Sequence, residues 1–365
     1  MKKTIIFLLM AHLSFAQGLT QKLDSLFRAN ISPDNAGAAL LLIKDGKTIY
    51  KKGFGLANIE TKTSVTASTN FRMASVSKQF TAACIILLEN RKLLSYEDNL
   101  LKFFPDFNKQ VGSVIQIKHL LTHTSGIKDY EELISDNQKE QISDADVLEL
   151  LKPQEQTYFA VGSQFRYSNS GFCLLEQIVE KVSGQSFSAF IKANIFEPLR
   201  MKNTLIYETG KPIKNRAMGY ARNKEGQLVF SDQSITSATK GDGCVYTSLD
   251  DYQKWYQAIL THQLFNLDFE LKKINKPIAG TKGINYALGW FNGYDNTSHI
   301  ELYHTGSTCG FSNVVNMAPH QKFLLVYFSN IADNHALEKP VRELLKEVKI
   351  DDSAVDFEKA LSLTN

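Results

Sequence analysis

The 365-residue sequence predicts an α/β (α+β) fold, with a strand-rich part interrupted by a helical insertion. Strand-like patterns at both chain ends and helical patterns between them carry that prediction. At the first end, Gly37 to Ile43 is apolar, Lys44-Asp45-Gly46-Lys47 carries the Asp-Gly turn signal, and Thr48 to Phe54 alternates. This reads as a β-hairpin. Towards the other end, Tyr286 to Phe291, Ile300 to Tyr303, Val314 to Met317 and Phe323 to Phe328 are strand candidates. Between roughly Ser75 and Leu260 helical patterns dominate. One starts at Ser248 with Asp251 three residues on, as a capping box does. Ala336 to Val348, with Leu337, Val341, Leu344 and Leu345, reads as a C-terminal helix.

Three short stretches carry chemistry. In Phe71-Arg72-Met73-Ala74-Ser75-Val76-Ser77-Lys78, a serine and a lysine stand three apart at the head of the apolar run Phe80 to Leu88. That run is hydrophobic on every side, which predicts a buried helix. Positions i and i+3 share a helix face, so Ser75 and Lys78 lie one above the other. Burying an ammonium is costly, and desolvation favours the neutral amine, which can take a proton from a neighbouring hydroxyl. A lysine snorkelling to water is the plain alternative. In Phe165-Arg166-Tyr167-Ser168-Asn169-Ser170-Gly171-Phe172, an extended backbone turns Tyr167 and Asn169 to one side. The alternative there is a turn with Asn169 as a helix N-cap. His304-Thr305-Gly306-Ser307 lies between the strand-like runs Ser298 to Tyr303 and Phe311 to Val315. A glycine in such a run marks close approach of a ligand or another backbone.

In that order, Ser-x-x-Lys, Tyr-x-Asn and His-Thr-Gly make the chain resemble the penicillin-recognising serine hydrolase superfamily, in its class C β-lactamase, DD-peptidase and esterase branch. His119 to Ile127 and Gly241 to Ser248 fit the same branch, and the likeness runs from about Leu23 to about Val348. The resemblance implies a β-lactamase/transpeptidase-like fold: an antiparallel sheet with flanking terminal helices, an inserted all-α domain, and an active site in the cleft between them. Residues 17–365 would form one catalytic unit, its α/β part about 17–70 and 245–350 and its α part about 71–244. By the same resemblance Ser75 is the nucleophile, and the N–H groups of Ser75 and Ser307 form the oxyanion hole. Lys78 activates Ser75, and Tyr167 shares the proton and delivers it to the leaving group. Asn169 holds the substrate's amide or ester dipole and contacts Lys78. Thr305 and Gly306 line the cleft. A phenol serves as base only beside cations, for which Lys78 and His304 are the candidates.

The implied function is an exported serine hydrolase working through an acyl-enzyme on a small ester or D-amino-acid peptide. A true β-lactamase is the alternative, and a non-catalytic protein binding penicillin or peptidoglycan fragments is the alternative of another class. β-Lactamases of this branch usually carry lysine where His304 stands. A histidine there makes the cleft less cationic, which favours neutral esters over β-lactams.

The remaining features bound this reading. Met1-Lys2-Lys3, the apolar run Ile5 to Leu13 and Ser14-Phe15-Ala16 read as a signal peptide over residues 1–16, implying a periplasmic or secreted protein. No further stretch reaches transmembrane length. The roughly 350 residues that remain suffice for a large core. A net charge of +3 is too small to argue for nucleic acid or an anionic membrane as partner, and neither is expected. Zinc, C-x-x-C and nucleotide motifs are absent, so no metal or cofactor is expected. A small-molecule substrate and a monomer are expected. Cys84, Cys173, Cys244 and Cys309 read as four buried free thiols. His119 and His123 read as structural hydrogen-bonding residues, and Asp242 as a turn former. Tyr130 reads either as a pocket wall or as packing. No carboxylate is placed as an obvious deacylation base.

Overall fold

The computed structural model describes residues 18–348 apart from 282 and 335, together with 350, 355 and 362. The signal peptide expected over residues 1–16 lies outside these. A seven-stranded antiparallel sheet dominates, built from β1 (Ala38–Lys44), β2 (Lys47–Phe54), β3 (Asn285–Ala287), β4 (Trp290–Tyr294), β5 (Ile300–Thr308), β6 (Phe311–Ala318) and β7 (Phe323–Ser329). Its order is β3-β4-β5-β6-β7-β1-β2, so β1 from the front of the chain pairs with β7 from its end. The β1–β2 turn has Asp45 at φ 52° and Gly46 at φ 75°, the two left-handed residues of a type I′ hairpin.

Strands β6 and β7 are buried at every residue, which requires cover on both faces. One cover comes from the helical residues 18–30 and the helix Glu338–Glu347. Phe27 stacks on Phe54 at 4.7 Å and leans on Tyr327 at 6.3 Å, while Val341 and Leu345 are buried. The other cover comes from the helical part, where Tyr252 of the helix Leu249–Leu260 meets Phe328 edge-on at 5.7 Å. Within that part, α1 (Lys78–Asn90) is buried from Lys78 to Leu88, as its all-round apolar sequence requires. It packs against α2 (Asn169–Ser183).

Four local readings are corrected. Tyr286 to Phe291 is a hairpin rather than one strand, because Leu288 (φ 55°) and Gly289 (φ 79°) turn the chain between β3 and β4. His304 to Ser307 runs inside the continuous strand β5 instead of between two strands. Ser248 does cap its helix through the Asp251 N–H at 3.3 Å, but the Asp251 carboxylate does not reach back. It accepts instead from the N–H groups of Asn203 (2.7 Å) and Thr204 (2.9 Å). All four cysteines are free, but Cys309 is only half-buried, because it sits at φ 44° in the turn between β5 and β6.

Candidate active site

The site begins with a strained turn. Phe71–Arg72 pairs with Val245–Thr247, and Ala74 then takes φ 48° before the short 3-10 turn Ala74–Ser77. A left-handed alanine costs about 1–2 kcal/mol, a strain held here by the packing around it. The turn leaves Ser75 half-buried while Val76, Ser77 and Lys78 are buried.

Lys78 is fully buried, and its Nζ reaches three oxygens. Asn169 Oδ1 lies at 2.8 Å, the Asp242 carbonyl at 2.9 Å and Ser75 Oγ at 3.1 Å. An amide oxygen and a backbone carbonyl accept but never donate, so these two fix two N–H bonds of Nζ. The third direction points at Ser75. It holds either an N–H given to Oγ or a lone pair receiving the hydroxyl proton. In either case Nζ and Ser75 Oγ share one hydrogen bond. The rings of Tyr167 and Phe172 flank Nζ at 5.0 and 5.6 Å and shield it with cation–π contacts.

Asn169 is the first residue of α2, but Ser168 is the N-cap and accepts the Gly171 N–H at 3.2 Å. That leaves the Asn169 amide free for Lys78. Tyr167 lies just ahead with its hydroxyl buried and, among the described residues, outside hydrogen-bonding geometry with any partner.

Strand β5 passes directly over the turn. Its register with β4 ends at Phe291↔Tyr303, and beyond that Gly306 meets the Ser75 segment. A Cβ at Gly306 would fall 2.2 Å from the Met73 carbonyl oxygen and 3.2 Å from the Ser75 nitrogen. The close approach therefore requires glycine. Asn313 on β6 fastens the crossing by donating to the carbonyls of Arg72 (2.9 Å) and Gly306 (3.4 Å). Thr305 is half-buried and Ser307 exposed, on alternating faces with buried His304 and Gly306.

His304 faces inward. Its Nδ1–H donates to the Thr305 carbonyl at 2.5 Å, and Nε2 accepts from the Tyr286 hydroxyl at 3.0 Å. Burial, reinforced by the nearby charge of Lys78, pushes its pKa down to about 3. His304 is therefore neutral in the working range and supplies no cation beside Tyr167. His119 and His123 each accept a backbone N–H on Nδ1 at 3.1 Å, from Gln116 and Ser168 respectively. Burial lowers both pKa values, that of His119 to about 4.

A pocket of about 90 Å³ opens beside Ser75, walled in part by Tyr130, Glu131, Asn169, Asp242 and Ser307. Tyr130 thus borders the pocket, and its hydroxyl donates to Asp242 Oδ2 at 3.3 Å. Locally, Gly241-Asp242-Gly243 predicts a turn at Asp242. It lies instead in the helical stretch Lys240–Gly243, with its carboxyl buried in this wall. Burial raises the pKa of Asp242 and, with Asp129 and Asp242 as charged neighbours, that of Glu131. Arg72 and Tyr286 are the other residues that sequence reasoning passed over. Arg72 is buried and donates to Gln233 Oε1 and the Ser237 carbonyl, each at 3.0 Å. A charged residue between Phe71 and Met73 in an apolar run was the available signal.

The beta-lactamase family model matches residues 23–349. The chain belongs to the beta-lactamase family. Proteins of this family are generally serine hydrolases. This beta-lactamase-family chain is 28% identical over 354 residues to a penicillin-binding protein of Bacillus subtilis (strain 168), covering 91% of the chain and 76% of the relative. It is 27% identical over 328 residues to protein flp of Staphylococcus aureus (strain MW2), covering 85% of the chain but 63% of that relative's length. Among solved structures it is similar to an octameric penicillin-binding protein homologue from Pyrococcus abyssi, with a TM-score of 0.79 and 26% identity over 94% of this chain and 80% of the other.

Proposed function

We propose that the protein is an exported serine hydrolase that cleaves small esters or D-amino-acid peptides through an acyl-enzyme at Ser75. The observation that carries this reading is the buried Lys78 Nζ, held by Asn169 and the Asp242 carbonyl with its remaining direction on Ser75 Oγ.

Ser75 Oγ attacks the substrate carbonyl carbon as its proton passes to Nζ of Lys78. The carbonyl oxygen becomes an oxyanion facing the N–H groups of Ser75 and Ser307. Each such donor is worth about 3 kcal/mol of transition-state stabilisation. Collapse breaks the C–O or C–N bond. The leaving group takes the Tyr167 hydroxyl proton, and Tyr167 regains one from Lys78. Water then attacks the acyl carbon and gives its proton to Nζ of Lys78, the bond between the acyl carbon and Ser75 Oγ breaks, and Lys78 returns that proton to Oγ. Asn169 aligns the substrate beside Lys78. His304 sets the base of the cleft through Tyr286 and, being neutral, offers no charge to a substrate carboxylate. That supports neutral esters over β-lactams. The export part of the reading rests on the sequence of residues 1–16.

Treatment with a fluorophosphonate followed by peptide mapping tests this function. Modification of the peptide bearing Ser75 is expected. A protein that stays unlabelled, or is labelled at another serine with Ser75 untouched, would overturn it.

A further inference from the structure

A second pocket lies away from Ser75 and shares no residue with the wall of the Ser75 pocket. It is a pocket of about 700 Å³ formed by the segment that follows α2, between Ser186 and Lys211. That volume falls in the range of built small-molecule sites. Its lining is mainly apolar, with Phe196, Met201 and Ile206 at the base.

The rim differs in character. Four cations stand on it, Lys192, Arg200, Lys202 and Lys211, against two carboxylates, Glu197 and Glu208. Both carboxylates are already paired, Glu197 with Lys192 at 3.7 Å and Glu208 with Lys211. Arg200 and Lys202 are exposed and have no carboxylate within 4.0 Å among the described residues. An apolar base under two unpaired cations complements a ligand with a hydrocarbon body and an anionic head.

The wall is also irregular. Lys192–Phe196 winds as a single π turn, and Arg200 sits at φ 55°. Both irregularities are costly unless held, and they concentrate where ligands are clamped. The base continues into the machinery around Ser75. Phe196 meets Phe80 of α1 edge-on at 5.7 Å, and Leu205–Ile206 pairs with Val245–Thr247, the partner of Phe71–Arg72.

We propose that this pocket binds a single-chain amphiphile with a carboxylate head, its chain over Phe196, Met201 and Ile206 and its head between Arg200 and Lys202. The site is independent of the reading of Ser75 as nucleophile.

Isothermal titration of the full protein with dodecanoate tests the proposal, using dodecanol and dodecyltrimethylammonium at matched concentrations below micelle formation. Saturable binding of dodecanoate is expected, at least about tenfold tighter than either control. R200E/K202E should weaken dodecanoate about tenfold or more and strengthen the cationic analogue. Protein whose Ser75 has been blocked by fluorophosphonate, or which carries Ser75→Ala, should bind dodecanoate unchanged. Equal binding of all three amphiphiles, or an R200E/K202E affinity like the wild type, would overturn the proposal. Loss of binding on blocking Ser75 would place the amphiphile in the catalytic cleft and overturn it as well.

Discussion

The Tyr286 hydroxyl donates to Nε2 of His304 across 3.0 Å, and the opposite ring nitrogen is spent on the Thr305 carbonyl. The histidine of the His-Thr-Gly motif is thus locked in one neutral tautomer beneath the cleft. Its folded pKa of about 3 lies below the unfolded value near 6.5. Between those values the unfolded chain binds a proton on this ring that the folded chain does not. The stability associated with the neutral ring is complete above the unfolded pKa and falls with pH towards 3. From pH 6.5 to 4.5 the loss is about 2–3 kcal/mol. Denaturant unfolding at pH 7.5 and 4.5 checks this by comparing wild type with His304→Gln. The acid loss should be smaller in the variant by about that amount, and equal losses would contradict the assignment.

The proposed mechanism makes Lys78 and Tyr167 one relay, and Nζ lies 5.0 Å from the tyrosine ring centre. Lys78→Ala and Tyr167→Phe should each lower kcat/KM for an ester by at least about 100-fold. The double variant should be scarcely worse than either single one. Multiplicative losses would show that the two residues do not share a proton.

Gly306→Ala forces a methyl group into the backbone at Met73 and Ser75. A stability loss of about 1–3 kcal/mol is expected from overpacking. A fall in kcat larger than any rise in KM should accompany it, because β5 must retreat from the Ser75 turn. Wild-type kcat in a folded Gly306→Ala variant would separate the glycine from catalysis.

The neutral His304 also bears on substrate choice. Neutral esters should turn over readily, whereas penicillins should acylate Ser75 and leave slowly. A chromogenic cephalosporin and p-nitrophenyl esters compared on one preparation decide the point. Cephalosporin hydrolysis on the scale of the best ester would count against this ordering.

The parts of the site that were legible in the sequence are those written in short spacings. Ser75 and Lys78 meet because three residues is one turn, and the Asp45-Gly46 hairpin forms because both residues accept positive φ. Where tertiary contacts decide, local pattern failed. The Leu288-Gly289 turn was hidden because a buried leucine at φ 55° carries no turn signal. It is held by packing of Gly289 on the backbone of Lys78 and Gln79, where a Cβ would fall 2.6 and 2.5 Å away. Asp242 looked like a turn residue since Gly-Asp-Gly reads so locally, yet its carbonyl serves Lys78 from 164 positions away. Strand alternation puts His304 and Gly306 on one face, but it does not say that Tyr286 will meet the ring there.

Time-resolved intact-protein mass spectrometry after mixing with a labelled penicillin tests the central claim most directly, namely that Ser75, served by Lys78, is the acylated nucleophile. Wild type should gain one adduct, mapped to the peptide bearing Ser75. Ser75→Ala should gain none while keeping its thermal unfolding within about 1 kcal/mol of wild type. Lys78→Ala should acquire the adduct at least about 100-fold more slowly. A stoichiometric adduct on folded Ser75→Ala, or an unchanged rate in Lys78→Ala, would contradict the account.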